Sequence, residues 1–258
     1  MLLTQKAIAE GGRAMLYYAA HKADFLMGAE TEEQKERADD DLGFLTPILK
    51  AFLTETGCEA ANLGVQVFGG HGYIKEWGME QIVRDTRIST LYEGTTGIQA
   101  LDLLGRKILL DKGVAFRRFS KELSQYCKGK SAYVTGKQRG KMKSMTSELS
   151  SLNLQWKYVA VRLVFNAMRN KDEVGAASVD FLMYSGYIVM AYFWAMMAEK
   201  SYEALAEGTE EEGFYKAKIQ TAEFYFARIL PRTKTHYSAM MSGSKNLMQI
   251  EEENFAFL

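Results

Sequence analysis

Met142, Met145, Leu149, Leu152, Trp156, Val159 and Leu163 follow one another at alternating spacings of three and four. That period holds seven apolar side chains on one side of an α-helix, and a half-buried strand, with its period of two, cannot reproduce it. A stripe of this kind has to be covered, and the reading adopted is core packing against one or more antiparallel helices. The same period recurs along the chain. Ile8, Met15, Tyr18, Ala19, Phe25 and Leu26 mark a helix from about Leu3 to Met27, and Ile48, Phe52, Ala60, Leu63 and Val67 mark one ending near Phe68. Further helices are expected over Ala176 to Glu199, Phe214 to Leu230 and Lys234 to Ile250, with a turn at Gly208 to Gly213. Two prolines, Pro47 and Pro231, leave these patterns almost uninterrupted. The expected class is all-α: an up-and-down helical bundle over residues 1 to 110, then a second helical bundle region over 111 to 258.

Local signals refine that outline. Gly11 and Gly12 sit inside the first helical pattern, which points to close approach by a neighbouring backbone or a ligand. Residues 29 to 43 form a charge run and are expected to be a solvated connection, with Pro47 then in the first turn of the next helix. Gly69-Gly70-His71-Gly72 should break that helix and leave backbone N–H groups uncovered. A helix containing Arg84-Asp85 follows, and another marked by Ile98, Leu101, Leu104 and Ile108, with Thr95 and Thr96 available as caps. Val114 to Tyr126 reads as a short helix and Lys128 to Lys141 as a basic loop.

Several function classes are disfavoured. Thirty-two basic residues balance thirty-two acidic ones, so no global field would draw the chain to nucleic acid or an anionic membrane. The most apolar run, Phe181 to Met197, carries Tyr184, Ser185, Tyr187 and Tyr192 and falls slightly short of a membrane span, so a buried helix is expected. Cys58 and Cys127 are far apart and in no ligand spacing, consistent with free thiols in a reducing cytoplasm, and the N-terminal residues show no export leader. No metal site is expected: the residues three before His21, His71 and His236 are Tyr18, Phe68 and Thr233, so no Glu-x-x-His pair exists. There is no Gly-x-Ser-x-Gly, and Gly69 to Gly72 lacks the strand and spacing of a dinucleotide fingerprint.

What remains is a single carboxylate, Glu93, between Tyr92 and Gly94. Leu91, Tyr92 and Ile98 could desolvate it and raise its pKa toward that of a general base, with Gly94 leaving room for a substrate. The competing reading of the local chemistry is a helix-cap carboxylate before Ile98.

The order and spacing of Gln66-Val67-Phe68-Gly69-Gly70-His71-Gly72-Tyr73, Val83-Arg84-Asp85, Leu91-Tyr92-Glu93-Gly94-Thr95 and Ile98-Gln99 resemble the C-terminal domain of the acyl-CoA dehydrogenase family. The resemblance covers residues 1 to about 110, and the remainder looks like the C-terminal extension of a longer subgroup that includes enzymes acting on methylthiopropanoyl-CoA. It implies that Glu93 is the catalytic base and that Gly94 and Tyr92 line the acyl-CoA site. It also implies that Gln66, Val67, Phe68, Gly69 and Gly70 contact FAD across a subunit boundary, with Thr95, Thr96 and Gly97 a further FAD-contacting segment. Gly97 stands where many relatives carry a polar residue, so a side-chain contact is missing there. His71 is read as a loop residue and Arg84 with Asp85 as a structural pair. The implied partners are an acyl-CoA substrate, an electron-transfer flavoprotein or similar acceptor, and a second copy in a homodimer. Because the family's N-terminal and middle domains are absent from these residues, the chain reads as a C-terminal fragment, inactive by itself. Two alternatives stay open: a relative that kept the fold but lost dehydrogenation and uses this surface for assembly, and a pure helical interaction module with the stripe from Met142 to Leu163 serving a partner.

Overall fold

A computed structural model of the protein describes residues 1–129 and 134–254, and every regular element among them is helical. α1 (Leu2–Met27) lies against α2 (Glu32–Phe68), followed by the single turn α3 (Gly70–Tyr73), α4 (Met79–Arg87) and α5 (Thr96–Leu101), which runs on as a π-helical stretch over Asp102–Leu110. α6 (Val114–Lys128), α7 (Gly136–Arg169), α8 (Asp172–Glu207), α9 (Glu212–Phe224), α10 (Thr233–Met241) and the short α11 (Lys245–Met248) complete the order.

Three boundaries differ from expectation, each for a local reason. The charge run is not a connection: α2 starts at Glu32, because Thr31 and Gln34 form a reciprocal capping box, the Gln34 N–H donating to Thr31 Oγ1 at 3.2 Å and the Thr31 N–H to Gln34 Oε1 at 3.3 Å. Glu32 and Glu33 then complement the positive end of the helix dipole. Pro47 consequently sits deep inside α2 and not in its first turn, where it withholds the N–H that Gly43 would otherwise receive. The basic loop ends at Thr135 and α7 takes up residues from Gly136; residues 130–133 of that loop lie outside the described residues. The last predicted helix stops at Met241, since Gly243 turns with φ of 74°.

The stripe on α7 is buried in the chain's own core, with Leu149, Trp156, Val159 and Leu163 essentially inaccessible, so it does not serve a partner. Trp156 stands edge-on to Phe116 at 4.8 Å, and its indole N–H donates to Ser185 Oγ at 2.9 Å. Burying one such side chain contributes roughly 1.5–3 kcal/mol. α8 is the central element, touching α1, α2, α5, α7, α9 and α10. It is long and apolar enough to cross a membrane by length and composition, but 83% of its apolar window is buried within the protein, as in the core helix of a bundle. One apolar cluster runs from Ala7 and Met15 through Phe44, Phe52 and Leu104 to Trp194 and Tyr225.

Gly11 owes its place to α8. A Cβ there would come within 2.6 Å of the Trp194 indole nitrogen and 2.8 Å of Met190 Cγ, so the close neighbour is a pair of side chains and not a backbone or ligand. The same indole donates to the Ala7 carbonyl at 3.2 Å, tying α1 to α8.

Candidate active site

Leu91 to Gly94 link a 3₁₀ turn (Ile88–Thr90) to α5, and the chain reverses there through two residues in positive φ: Glu93 at 58° and Gly94 at 87°. Gly94 suits that region. Glu93 does not, since a side chain in the left-handed region costs about 1–2 kcal/mol, so the surroundings must hold it.

Two side chains do so. Gln99 Nε2 donates to the Glu93 carbonyl at 3.1 Å, and Lys50 Nζ, reaching across from α2, donates to the Gly94 carbonyl at 2.5 Å. A Cβ on Gly94 would sit 2.9 Å from Gln99 Nε2 and would push that amide aside, and the φ of 87° strains any side chain at this position. Thr95 caps α5, its hydroxyl accepting from the Ile98 N–H at 3.4 Å, so the cap is a threonine and Glu93 is free of that task. The Thr96 hydroxyl donates to Glu55 Oε1 at 2.5 Å, again on α2. The turn is therefore bolted to α2 at Lys50 and Glu55.

Glu93 itself is exposed, and so are Leu91, Tyr92 and Ile98 at 48%, 55% and 58%. The expected local desolvation of the carboxylate is not supplied by these neighbours, since Glu93 stays exposed beside them and each is itself about half exposed. Any cover must come from a ligand or from further protein.

The glycine turn is at the end of α2. Gly69 has φ of 61°, its N–H donates to the Gln66 carbonyl at 3.2 Å, and Gly72 donates back to the Gly69 carbonyl at 3.0 Å. Gln66, Val67, Phe68, Gly69 and Gly70 are all exposed, and a Cβ built on Gly69 or Gly70 meets nothing within 4 Å. Gly72, by contrast, is buried against Val65 and Phe68, which makes it the structural glycine of the motif. His71 is exposed beside Trp77, with ring centroids 5.3 Å apart. Arg84 and Asp85 do not form the expected pair: Asp85 accepts from Gln81 at 2.7 Å, and consecutive helical residues point apart.

The fit of a large flavin cofactor can be judged on these features. An exposed glycine turn offers backbone without side-chain obstruction, which suits a ligand group at Gln66 to Gly70. At the second segment, the Thr95 hydroxyl accepts from the Ile98 N–H and keeps its own proton to donate, the Thr96 hydroxyl spends its proton on Glu55 and keeps acceptor capacity, and a Cβ on Gly97 would find only Thr95 Oγ1 at 3.9 Å, which leaves open space there. The residues fit one wall of such a site. Among the described residues no group of His, Cys, Asp or Glu could hold a metal ion.

Sequence reasoning gave no role to Lys50, Glu55 or Gln99. The available signal was Lys50, a cation inside the apolar run from Ile48 to Phe52.

Two family models match the chain: "Acyl-CoA dehydrogenase, C-terminal domain" over residues 1–109 and "Acetyl-CoA dehydrogenase C-terminal like" over residues 119–251. The chain belongs to the acyl-CoA dehydrogenase family. It is 34% identical over 252 residues to a 3-methylmercaptopropionyl-CoA dehydrogenase of Ruegeria pomeroyi, covering 96% of this chain and 41% of that protein. It is 29% identical to the broad-specificity linear acyl-CoA dehydrogenase FadE5 of Mycobacterium tuberculosis, over 98% of this chain and 42% of the relative. The chain thus spans about two-fifths of the length of these relatives. Its fold is similar to Caenorhabditis elegans ACDH-11 in complex with C11-CoA, with a TM-score of 0.68, 18% identity and coverage of 98% of this chain and 39% of that one. A Bacillus anthracis acyl-CoA dehydrogenase complexed with FAD matches at a TM-score of 0.65 and 17% identity, over 93% and 41%.

Proposed function

We propose that this chain supplies the proton-abstracting side of a flavin-dependent acyl-CoA dehydrogenase, with Glu93 as the base. The observation that supports this most directly is the conformation of Glu93: a non-glycine residue held at φ of 58°, exposed, with its own carbonyl and that of Gly94 both engaged by side chains. Such a conformation persists where function requires a side chain to be aimed. In this reading the Glu93 carboxylate takes the α-proton of an acyl thioester, becoming a carboxylic acid, and Gly94 and Tyr92 line the acyl-CoA. FAD, when bound, would accept the β-hydrogen with its electron pair, leaving an α,β-unsaturated thioester. Gln66, Val67, Phe68, Gly69 and Gly70 would contact the FAD of a second copy in a homodimer, and Thr95, Thr96 and Gly97 would form a further FAD contact. An electron-transfer flavoprotein or similar acceptor would reoxidise it, in the cytoplasm. Residues 1–110 form the site-bearing unit in this reading, and 111–258 the extension that braces it.

A thioester α-proton is too weakly acidic for a fully hydrated carboxylate, so the exposed Glu93 needs its water displaced. That requirement, together with a glycine turn offering only one wall, means the 258 residues alone are expected neither to retain FAD through desalting nor to turn over acyl-CoA. The test is Glu93→Gln in the flavin-loaded enzyme containing this chain: turnover should fall about 10²–10⁴-fold with flavin content unchanged. Undiminished turnover in that variant would remove Glu93 from the chemistry.

A further inference from the structure

We propose that Lys50 is a positioning residue for Glu93, holding the carboxylate's backbone in its left-handed turn through the Gly94 carbonyl. The inference rests on the reading of Glu93 as the base. Lys50 stands on α2 beside Leu49 and Leu53, and its stem lines an apolar groove with Leu16, Ala19 and Leu42. Its ammonium emerges from that groove to reach Gly94, and among the described residues the carbonyl is its one polar partner. A half-buried cation would ordinarily be expected beside a carboxylate. Here the charge is directed at a backbone oxygen, and a charge-assisted hydrogen bond is among the stronger restraints available to a loop.

The geometry explains why that oxygen matters. Glu93 at φ of 58° and Gly94 at 87° are consecutive, and Gln99 fixes the carbonyl between them from the other side. Gly94 on its own would rotate freely, and Glu93 would relax toward the extended region that side chains prefer. Two successive carbonyl groups, that of Glu93 held by Gln99 and that of Gly94 held by Lys50, oppose the rotation by which Glu93 would relax. Because the anchor comes from α2, the direction of the carboxylate is set by a rigid helix and not by its own loop.

The test compares Lys50→Met, which keeps the apolar stem and deletes the ammonium, with Lys50→Arg, which restores a donor. In the isotopically labelled 258-residue chain, the Cα and carbonyl carbon shifts of Glu93 and Gly94 should move toward extended-backbone values in Lys50→Met and return in Lys50→Arg, with signals from α7 and α8 unmoved. In the flavin-loaded enzyme, Lys50→Met should lose roughly ten- to a hundredfold in kcat with KM for the thioester nearly kept, the signature of a misaimed base. Unmoved Glu93 and Gly94 signals in Lys50→Met would overturn the inference. The spectra need neither flavin nor thioester, so that result is separate from full activity in Glu93→Gln, which would overturn the base and leave the turn's anchor standing.

Discussion

Arg232 forks onto Glu59, with its two terminal nitrogens 2.6 and 2.7 Å from the two carboxylate oxygens. The pair joins the 3₁₀ turn before α10 to α2, one turn beyond the Glu55 that holds Thr96. Tyr187 on α8 adds its hydroxyl to Arg232 at 3.3 Å. The C-terminal region therefore grips the same helix on which the Glu93 turn is mounted.

That pair is about one-third exposed on each side, so water screens it. Replacing Arg232 with Met is expected to cost roughly 1 kcal/mol, with Glu59→Gln costing about the same and the double variant little more. Urea denaturation of the four chains measures the coupling, and strict additivity would show the pair to be stabilisation in appearance only.

Trp156→Ala should be the most damaging single change in α7. The side chain is fully buried, faces Phe116 and donates to Ser185, so its removal leaves a large cavity and takes away the one donor to a hydroxyl that keeps its own bond to the Phe181 carbonyl. A loss of about 3–5 kcal/mol is expected, read as a lower urea midpoint with an unchanged slope.

Gly186→Ala tests close packing without any change in polarity. A Cβ at this position would overlap the Phe52 ring of α2, and that ring is also fixed edge-on to Tyr187 at 4.9 Å. Alanine normally favours a helix by about 1 kcal/mol over glycine. Overpacking should reverse that sign and leave a net loss of about 1–2 kcal/mol; a more stable variant would mean that α2 and α8 separate freely.

Glu93→Gly should separate stability from function. Glycine adopts positive φ at little steric cost, and the relief outweighs its greater unfolded-state entropy, so the chain is expected to gain about 0.5–1 kcal/mol. Calorimetry should show a raised Tm while the flavin-loaded enzyme loses its base. A lowered Tm would show that the turn carries no strain at this residue.

Glu173 gives the chain a specific acid sensitivity. Its carboxylate accepts from the Ser244 hydroxyl at 2.7 Å and the Ser244 N–H at 2.9 Å, and these bonds hold its pKa below the ordinary 4.5. A depressed folded-state pKa means that the stabilisation is complete above the unfolded value and is lost as pH falls through the folded one. Stability measured from about pH 6 to about pH 3 should therefore drop less steeply in Glu173→Gln, which is weaker at neutral pH but lacks the share of the acid response that Glu173 contributes. Parallel curves for the two chains would remove Glu173 from the acid response.

The helices and their core faces were legible in the sequence because the period of an apolar stripe is a local property. Met142 to Leu163 had one face to bury and buried it, and α8 was read as a core helix from its tyrosines and length. The motif around Glu93 was legible as well, through its glycines and its order along the chain. Less legible were boundaries set by capping: Thr31 and Gln34 turned a charge run into helix, although the capping pattern was present to be read.

What the sequence determined by itself, then, was an all-α chain with a glutamate before a helix and an exposed glycine turn at the end of another. Tertiary structure alone decided how that glutamate is aimed. Lys50 and Gly94 are forty-four residues apart, and Arg232 and Glu59 one hundred and seventy-three, so no local pattern announces either contact. It also decided that Glu93 stands uncovered, because desolvation depends on which surfaces close over a residue and not on how apolar its neighbours in the chain happen to be.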